Sequence, residues 1–398
     1  MLKTSLFSGC NLSPLLFSLF ISFLGQDLNS YGLGINLGTY NLSCIMFADD
    51  LVIFGSSRSN LEILLDKART FFNNHHLTIS STKSKIMSFD ASTGTTTFDN
   101  SLAYPPLTLD QVAVFKYLGI PISSSPYSLF SGYNDQVKKR AKNYLYRVLS
   151  LVKTGPDRSA LAFSLWNQIA LPSILYGAEI IPLLDSTIKE VEKCQAAVGK
   201  FILQVPKSTA NVCANLDVGF RPVWAVVAEK VLLYANSIMS KPMDFLPKVA
   251  MTELLQQGSK YPYIQYLLKW KVKTECFGLH SKQIKASVRS SAISSVISQQ
   301  SLTSSSTFAM SYPGSSSPNQ WFRPKRWVSD SGLSKVFAEF RSCNAGLGNR
   351  APAKNGQYYK LCPLCEMNGQ KALNNEVIIK TFNEQSVKEY KGSDSIQK

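Results

Sequence analysis

Two adjacent carboxylates, Asp49 and Asp50, follow Phe47-Ala48 between two β-rich apolar runs, Leu42-Ser43-Cys44-Ile45-Met46 and Leu51-Val52-Ile53-Phe54-Gly55. Two such runs around a tight connection predict a β-hairpin. A turn chosen only for economy would carry Asn-Gly or Asp-Gly, whose residues accept positive φ. This one carries paired carboxylates and no glycine. Oxygen donors at a hairpin tip suit hard divalent cations such as Mg²⁺ held beside phosphates. A solvated acidic turn would use the same pair, so the flanking sequence decides between the two readings. A second constellation, Cys362-Pro363-Leu364-Cys365, has half the ligand spacing of a zinc knuckle. Of the 3 histidines the last is His280, and no cysteine follows Cys365. Cys343 could supply a third ligand, and a fourth would have to be a carboxylate or come from elsewhere, so a vestigial pair holding no zinc is expected.

Several elements must position these groups. Ser13-Pro14 ahead of Leu15-Leu16-Phe17 marks a helix start, with serine able to cap and proline suited to the first turn. Leu61, Leu64, Leu65, Ala68 and Phe72 form one helical stripe, with Glu62, Asp66, Lys67 and Arg69 off it, which predicts a helix covering a sheet face. Gly119 between Leu118 and Ile120 suits a hairpin bend. From Asn134 to Val152, apolar Val137, Ala141, Leu145, Val148 and Val152 recur at helical spacing. Lys138, Lys139, Lys142 and Arg147 take much of the remaining surface, as a phosphate-tracking face or a solvated basic one.

The order of these features resembles the reverse transcriptases of non-LTR (LINE-type) retrotransposons. In that family a Phe/Tyr-Ala-Asp-Asp hairpin lies at the catalytic centre of the palm. Gly9-Cys10-Asn11-Leu12-Ser13-Pro14-Leu15-Leu16-Phe17 resembles the family's Gly-Cys-Pro-Leu-Ser-Pro-Leu-Leu-Phe element. Leu77-Thr78-Ile79-Ser80-Ser81-Thr82-Lys83-Ser84-Lys85-Ile86-Met87 resembles its Leu-x-Ile-Asn-x-x-Lys-Thr-x-x-Met segment. Phe115-Lys116-Tyr117-Leu118-Gly119-Ile120 resembles its Tyr-Leu-Gly primer-gripping hairpin. The resemblance implies an RNA-directed DNA polymerase in which Asp49 and Asp50 hold Mg²⁺ or Mn²⁺ and Lys83 sits near the departing pyrophosphate. It also implies that Gly9, Ser13, Pro14, Tyr117, Leu118, Gly119, Lys138, Lys139, Lys142 and Arg147 face an RNA or DNA primer-template. The family's third aspartate and its fingers lie upstream of the Gly9 element. Phe7-Ser8 and Ser80 replace the family's Arg-Gln and Asn. The expectation is therefore a fragment that does not extend a primer alone.

A formal charge of +16 and a pI near 9.4 favour a polyanionic partner, nucleic acid before membrane. The apolar run Leu12–Leu24 is shorter than the roughly 20 residues of a membrane span and lacks a small-x-small cleavage site. The 8 scattered cysteines suggest a reducing compartment, hence an intracellular protein of nucleus or cytoplasm. No membrane and no specific protein partner is indicated. The expected architecture is α+β, a partial palm of antiparallel strands with helices followed by an all-α thumb and extension. The expected boundaries are 1–125 for the palm, 126–286 for the helical thumb and extension, 287–320 for a serine-rich linker, and 321–398 for the cysteine module. Pro172 should break or kink the helical stretch from Ala160 to Ile180. Trp166, Trp224 and Trp270 are expected to pack helices together.

Overall fold

The computed structural model describes residues 12–80, 82–89, 102–104, 107–125, 129–153, 158–274 and 280–301. Gly9, Cys362, Cys365 and the expected 321–398 module lie outside these residues. The described chain is α+β and divides into two compact units.

The first unit draws on Met1–Lys116, Ser123–Leu129 and Ser237–Ile264. It opens with α1 (Ser13–Ser30), followed by the antiparallel pairs β1 (Ile35–Leu37) with β2 (Tyr40–Leu42) and β3 (Cys44–Phe47) with β4 (Asp50–Ile53). Next come α2 (Arg58–Asn74) and the strands β5 (Lys85–Ile86), β6 (Leu102–Tyr104) and β7 (Leu107–Gln111), ordered β5-β7-β6. The helix Leu246–Gln256 packs on β1. Ser13 does not cap α1 as expected: Leu12 is the N-cap and already has helical dihedrals. Ser13 thus becomes the first helical residue, and the N–H that Pro14 lacks is one that would have had no intrahelical partner. Helix α2 does have a serine cap, for Ser57 accepts the Asn60 N–H at 3.2 Å.

The core of this unit forms where α1 and α2 meet β3 and β4. Ile21, Leu24 and Leu28 of α1, Cys44 of β3, and Leu64 and Ala68 of α2 are buried together. Fully burying each such leucine contributes about 1.5–3 kcal/mol relative to leaving it exposed. The stripe expected on α2 therefore holds, and it packs against both α1 and β4. Gly55 permits the short passage from β4 into α2, since a Cβ there would lie 2.7 Å from the Leu61 backbone nitrogen.

The hairpin β8 (Val114–Tyr117) with β9 (Ile120–Ser123) leads into a helical region. The second unit holds Tyr117–Ile122, Phe130–Asn236 and Gln265–Lys398. Its helices are α3 (Ser131–Leu151), α4 (Arg158–Leu165), α5 (Leu171–Ile174), α6 (Asp185–Leu203), α7 (Asn211–Val218) and α8 (Val223–Met239). With the first unit's helix counted as α9, α10 (Pro262–Lys273) and α11 (Ser281–Ser301) follow. Helix α6 packs against α3, α4 and α7. The three tryptophans are buried, as their expected packing role requires. Trp166 Nε1 donates to Gln195 Oε1 at 3.2 Å, and the Trp224 and Trp270 rings stack with centroids 6.4 Å apart.

Pro172 acts one turn before itself. Residues Trp166–Ala170 form a π-turn, and the Leu171 N–H donates to the Trp166 carbonyl. Pro172 has no N–H for the residue four back, and its ring crowds that carbonyl. The wider turn accommodates the misfit without ending the helical path.

The serine-rich stretch expected as a linker is helical as far as Ser301. Ile284 and Val288 are buried on one face of α11, and that burial offsets the modest helix propensity of serine. Among the described residues no helix is long and apolar enough to cross a membrane.

Candidate functional site

The β3–β4 hairpin presents the two carboxylates. Its register pairs Cys44 with Ile53, Ile45 with Val52, Met46 with Leu51 and Phe47 with Asp50, leaving Ala48 and Asp49 as the turn. Ala48 has φ 52°, a left-handed conformation that costs an L-alanine about 1–2 kcal/mol. Positive φ at the first central residue normally calls for glycine. The base of the hairpin is held by Cys44, Met46, Leu51 and Ile53 in the first unit's core. The Asn29 side chain accepts the Ser43 N–H at 2.8 Å, and the Ser43 carbonyl accepts the Phe54 N–H at 2.7 Å. Burial pushes the Cys44 thiol pKa up, so this cysteine stays protonated and acts as core. The tip is open: Asp49, Asp50 and Phe47 are exposed.

Lys83 is exposed in the turn that precedes β5. Next to it, Lys85 pairs with Asp110 at 2.6 Å, tying β5 to β7. Ser13 and Pro14 stand in the first turn of α1.

The Tyr117-Leu118-Gly119 segment belongs to the second unit and is held there. Leu118 and Gly119 have φ 47° and 82°, the two positive values that a type I′ hairpin turn needs. Glycine meets this freely, whereas leucine does so under strain. Three side chains secure the turn. Gln136 Nε2 and Arg140 Nη2, one helical turn apart on α3, each donate to the Gly119 carbonyl at 3.1 Å. The Tyr176 hydroxyl donates to the Leu118 carbonyl at 3.3 Å. None of the three was singled out by sequence; the i, i+4 spacing of Gln136 and Arg140 was the available signal.

Helix α3 carries the basic face. Tyr133, Val137, Ala141, Val148 and Val152 are buried along its inner stripe, with Leu145 half-buried. Of the four expected cations, Lys138 pairs with exposed Asp135 at 3.4 Å, and Lys142 reaches Glu190 at 3.6 Å. Glu190 also meets Lys193, whose hydrogen bond lowers the carboxyl pKa. Lys139 and Arg147 are exposed and form no ion pair among the described residues.

The turn and the basic face therefore belong to one unit, joined through Gln136 and Arg140, while the carboxylate hairpin belongs to the other. Among the described residues no three His, Cys, Asp or Glu side chains gather as a metal site.

Residues 2–122 match the family described as reverse transcriptase (RNA-dependent DNA polymerase). The chain is also 28% identical over 214 residues to the "Retrovirus-related Pol polyprotein from type-1 retrotransposable element R2" of Popillia japonica. That match covers 52% of this chain and 28% of the relative, so the chain spans well under half of the curated protein it resembles. Reverse transcriptases as a family act on nucleic-acid templates and use divalent metal ions. The Phe47–Asp50 hairpin and the Tyr117–Gly119 turn both lie within residues 2–122, the part of the chain that is similar to reverse transcriptases, and the matched relative is the polyprotein of a retrotransposable element.

Proposed function

We propose that the chain is the palm-tip and thumb part of an RNA-directed DNA polymerase of a retrotransposable element. Its second unit grips an RNA or DNA primer-template, and its first unit presents Asp49 and Asp50 to divalent cations. The observation that carries this reading is the β3–β4 hairpin, which holds two exposed carboxylates at a tip where alanine takes a conformation suited to glycine. Backbone strain of this kind clusters at functional sites.

The donors fit Mg²⁺ or Mn²⁺, since both are exposed, hard carboxylate oxygens. Mg²⁺ keeps several waters and is commonly held by one or two carboxylates together with substrate phosphates. When bound, such ions neutralise charge on the transferring phosphoryl group. The chain's own residues orient the substrate. Lys83 supplies positive charge at the pyrophosphate, the Leu118–Gly119 turn aims the primer end, and α3 contacts backbone phosphates.

Polymerisation requires more carboxylate ligands than this hairpin holds, and among the described residues no third acidic, His or Cys side chain gathers with it. We expect the chain to bind primer-template without extending it. Manganese uptake followed by electron paramagnetic resonance should require primer-template, nucleotide and both aspartates. Uptake unchanged in an Asp49→Ala, Asp50→Ala variant would overturn the role given to the hairpin. Template-directed incorporation of deoxynucleotides, run beside Asp49→Ala, tests the second half. Incorporation that the substitution abolishes would show that this chain completes the metal site by itself.

A further inference from the structure

An open groove of 580 Å³ lies on the second unit, in the size range of small-ligand sites. Arg140, Asn143, Tyr144 and Arg147 of α3 line it together with Ser173 of α5 and Tyr176 just beyond. Among the described residues no carboxylate lines the groove. Neither arginine is in an ion pair among the described residues. Arg140 gives Nη2 to the Gly119 carbonyl, while its buried Nη1 has no hydrogen-bond partner. Two unpaired guanidinium groups with no acid between them suit an anion, and their planar forks suit phosphate.

The groove is also aromatic. The Arg147 guanidinium stands 5.9 Å from the centroid of the Tyr144 ring. Tyr176 is 47% exposed, and its hydroxyl bond to the Leu118 carbonyl anchors the ring. A ring already anchored loses little freedom when a flat ligand stacks on it. A free phosphate would engage the arginines and leave both rings idle. A nucleotide uses both features, because every base has a face to stack and every linkage a charge to pair.

We propose that this groove seats one unpaired nucleotide of a single-stranded nucleic acid, with its base stacked on Tyr144 beside the anchored Tyr176 ring and its phosphate taken by Arg147 together with Arg140. The inference rests on the nucleic-acid reading above and goes beyond it. A basic helix tracking phosphates is indifferent to whether bases are present, whereas a stacking seat is not.

The test uses the full chain and two fluorescein-labelled probes, a deoxythymidine decamer and the same backbone with every base removed. Fluorescence anisotropy should show the abasic strand binding about tenfold more weakly. Tyr144→Ala should erase most of that difference, and Tyr144→Phe should keep it, with circular dichroism showing that both variants fold. Arg147→Gln, at an exposed position, should weaken both probes alike and flatten the salt dependence by about one unit of slope. Equal affinity of the two probes would remove the stacking seat and leave nucleic-acid binding standing. A base preference that survives Tyr144→Ala would place the stacking elsewhere and overturn the assignment. No binding of either probe at low salt would remove the nucleic-acid reading, and this inference with it.

Discussion

Ala48 is the residue on which the hairpin tip turns. Its left-handed conformation carries a cost that glycine relieves, so Ala48→Gly should raise stability by about 0.5–1 kcal/mol and leave the fold unchanged. Ala48→Val, with a branched side chain at the same φ, should lower stability by about 1–3 kcal/mol. Denaturant unfolding of the three proteins checks this, and coincident midpoints would show that the tip is unstrained. The carboxylates themselves were legible in the sequence, because two acids between two β-rich runs have few other placements. The strain was not, since alanine carries no mark of positive φ. Gln136, Arg140 and Tyr176 were hidden for a different reason. Their partners are backbone carbonyls of Leu118 and Gly119, and no residue type advertises an acceptor that every residue has.

At the scale of elements, amphipathic stripes were enough to find α2 and α3, because each buries one face against neighbours. The π-turn before Pro172 was not foreseen, for proline announces a missing hydrogen bond but not the way a helix absorbs it. Serine content suggested a linker from residue 287, where α11 in fact continues to Ser301 with Val288 buried. Two predictions belong here. Gly55→Ala would force a Cβ against the Leu61 backbone where α2 begins, and should cost about 1–3 kcal/mol in unfolding free energy. Glu192 of α6 accepts hydrogen bonds from the Val223 and Trp224 amides in the first turn of α8, yet burial raises its pKa above the ordinary 4.5. The folded state therefore holds this proton to higher pH than the unfolded chain does. The stability contribution is fully present below the ordinary value and falls as pH rises through the raised one. Glu192→Gln should remove that decline from a series of thermal midpoints taken between pH 4 and 8. Parallel curves for the two proteins would contradict it.

The whole molecule carries a formal charge of +16, and the match to reverse transcriptases covers residues 2–122, which reach from the first unit into the β-hairpin that opens the second. Composition pointed to a polyanionic partner, and four motifs in order made the likeness to reverse transcriptases legible. The division into units was less visible, because Ser237–Ile264 joins the first unit from far along the chain. The most direct test of the account is the equilibrium affinity of the purified chain for a primer-template duplex measured across a salt series. Binding through Lys138, Lys139, Lys142 and Arg147 should release condensed counterions, giving a log–log slope of about −3 to −4 that shrinks as these residues are replaced by glutamine. A flat salt response, or no binding at about 50 mM salt, would contradict the account.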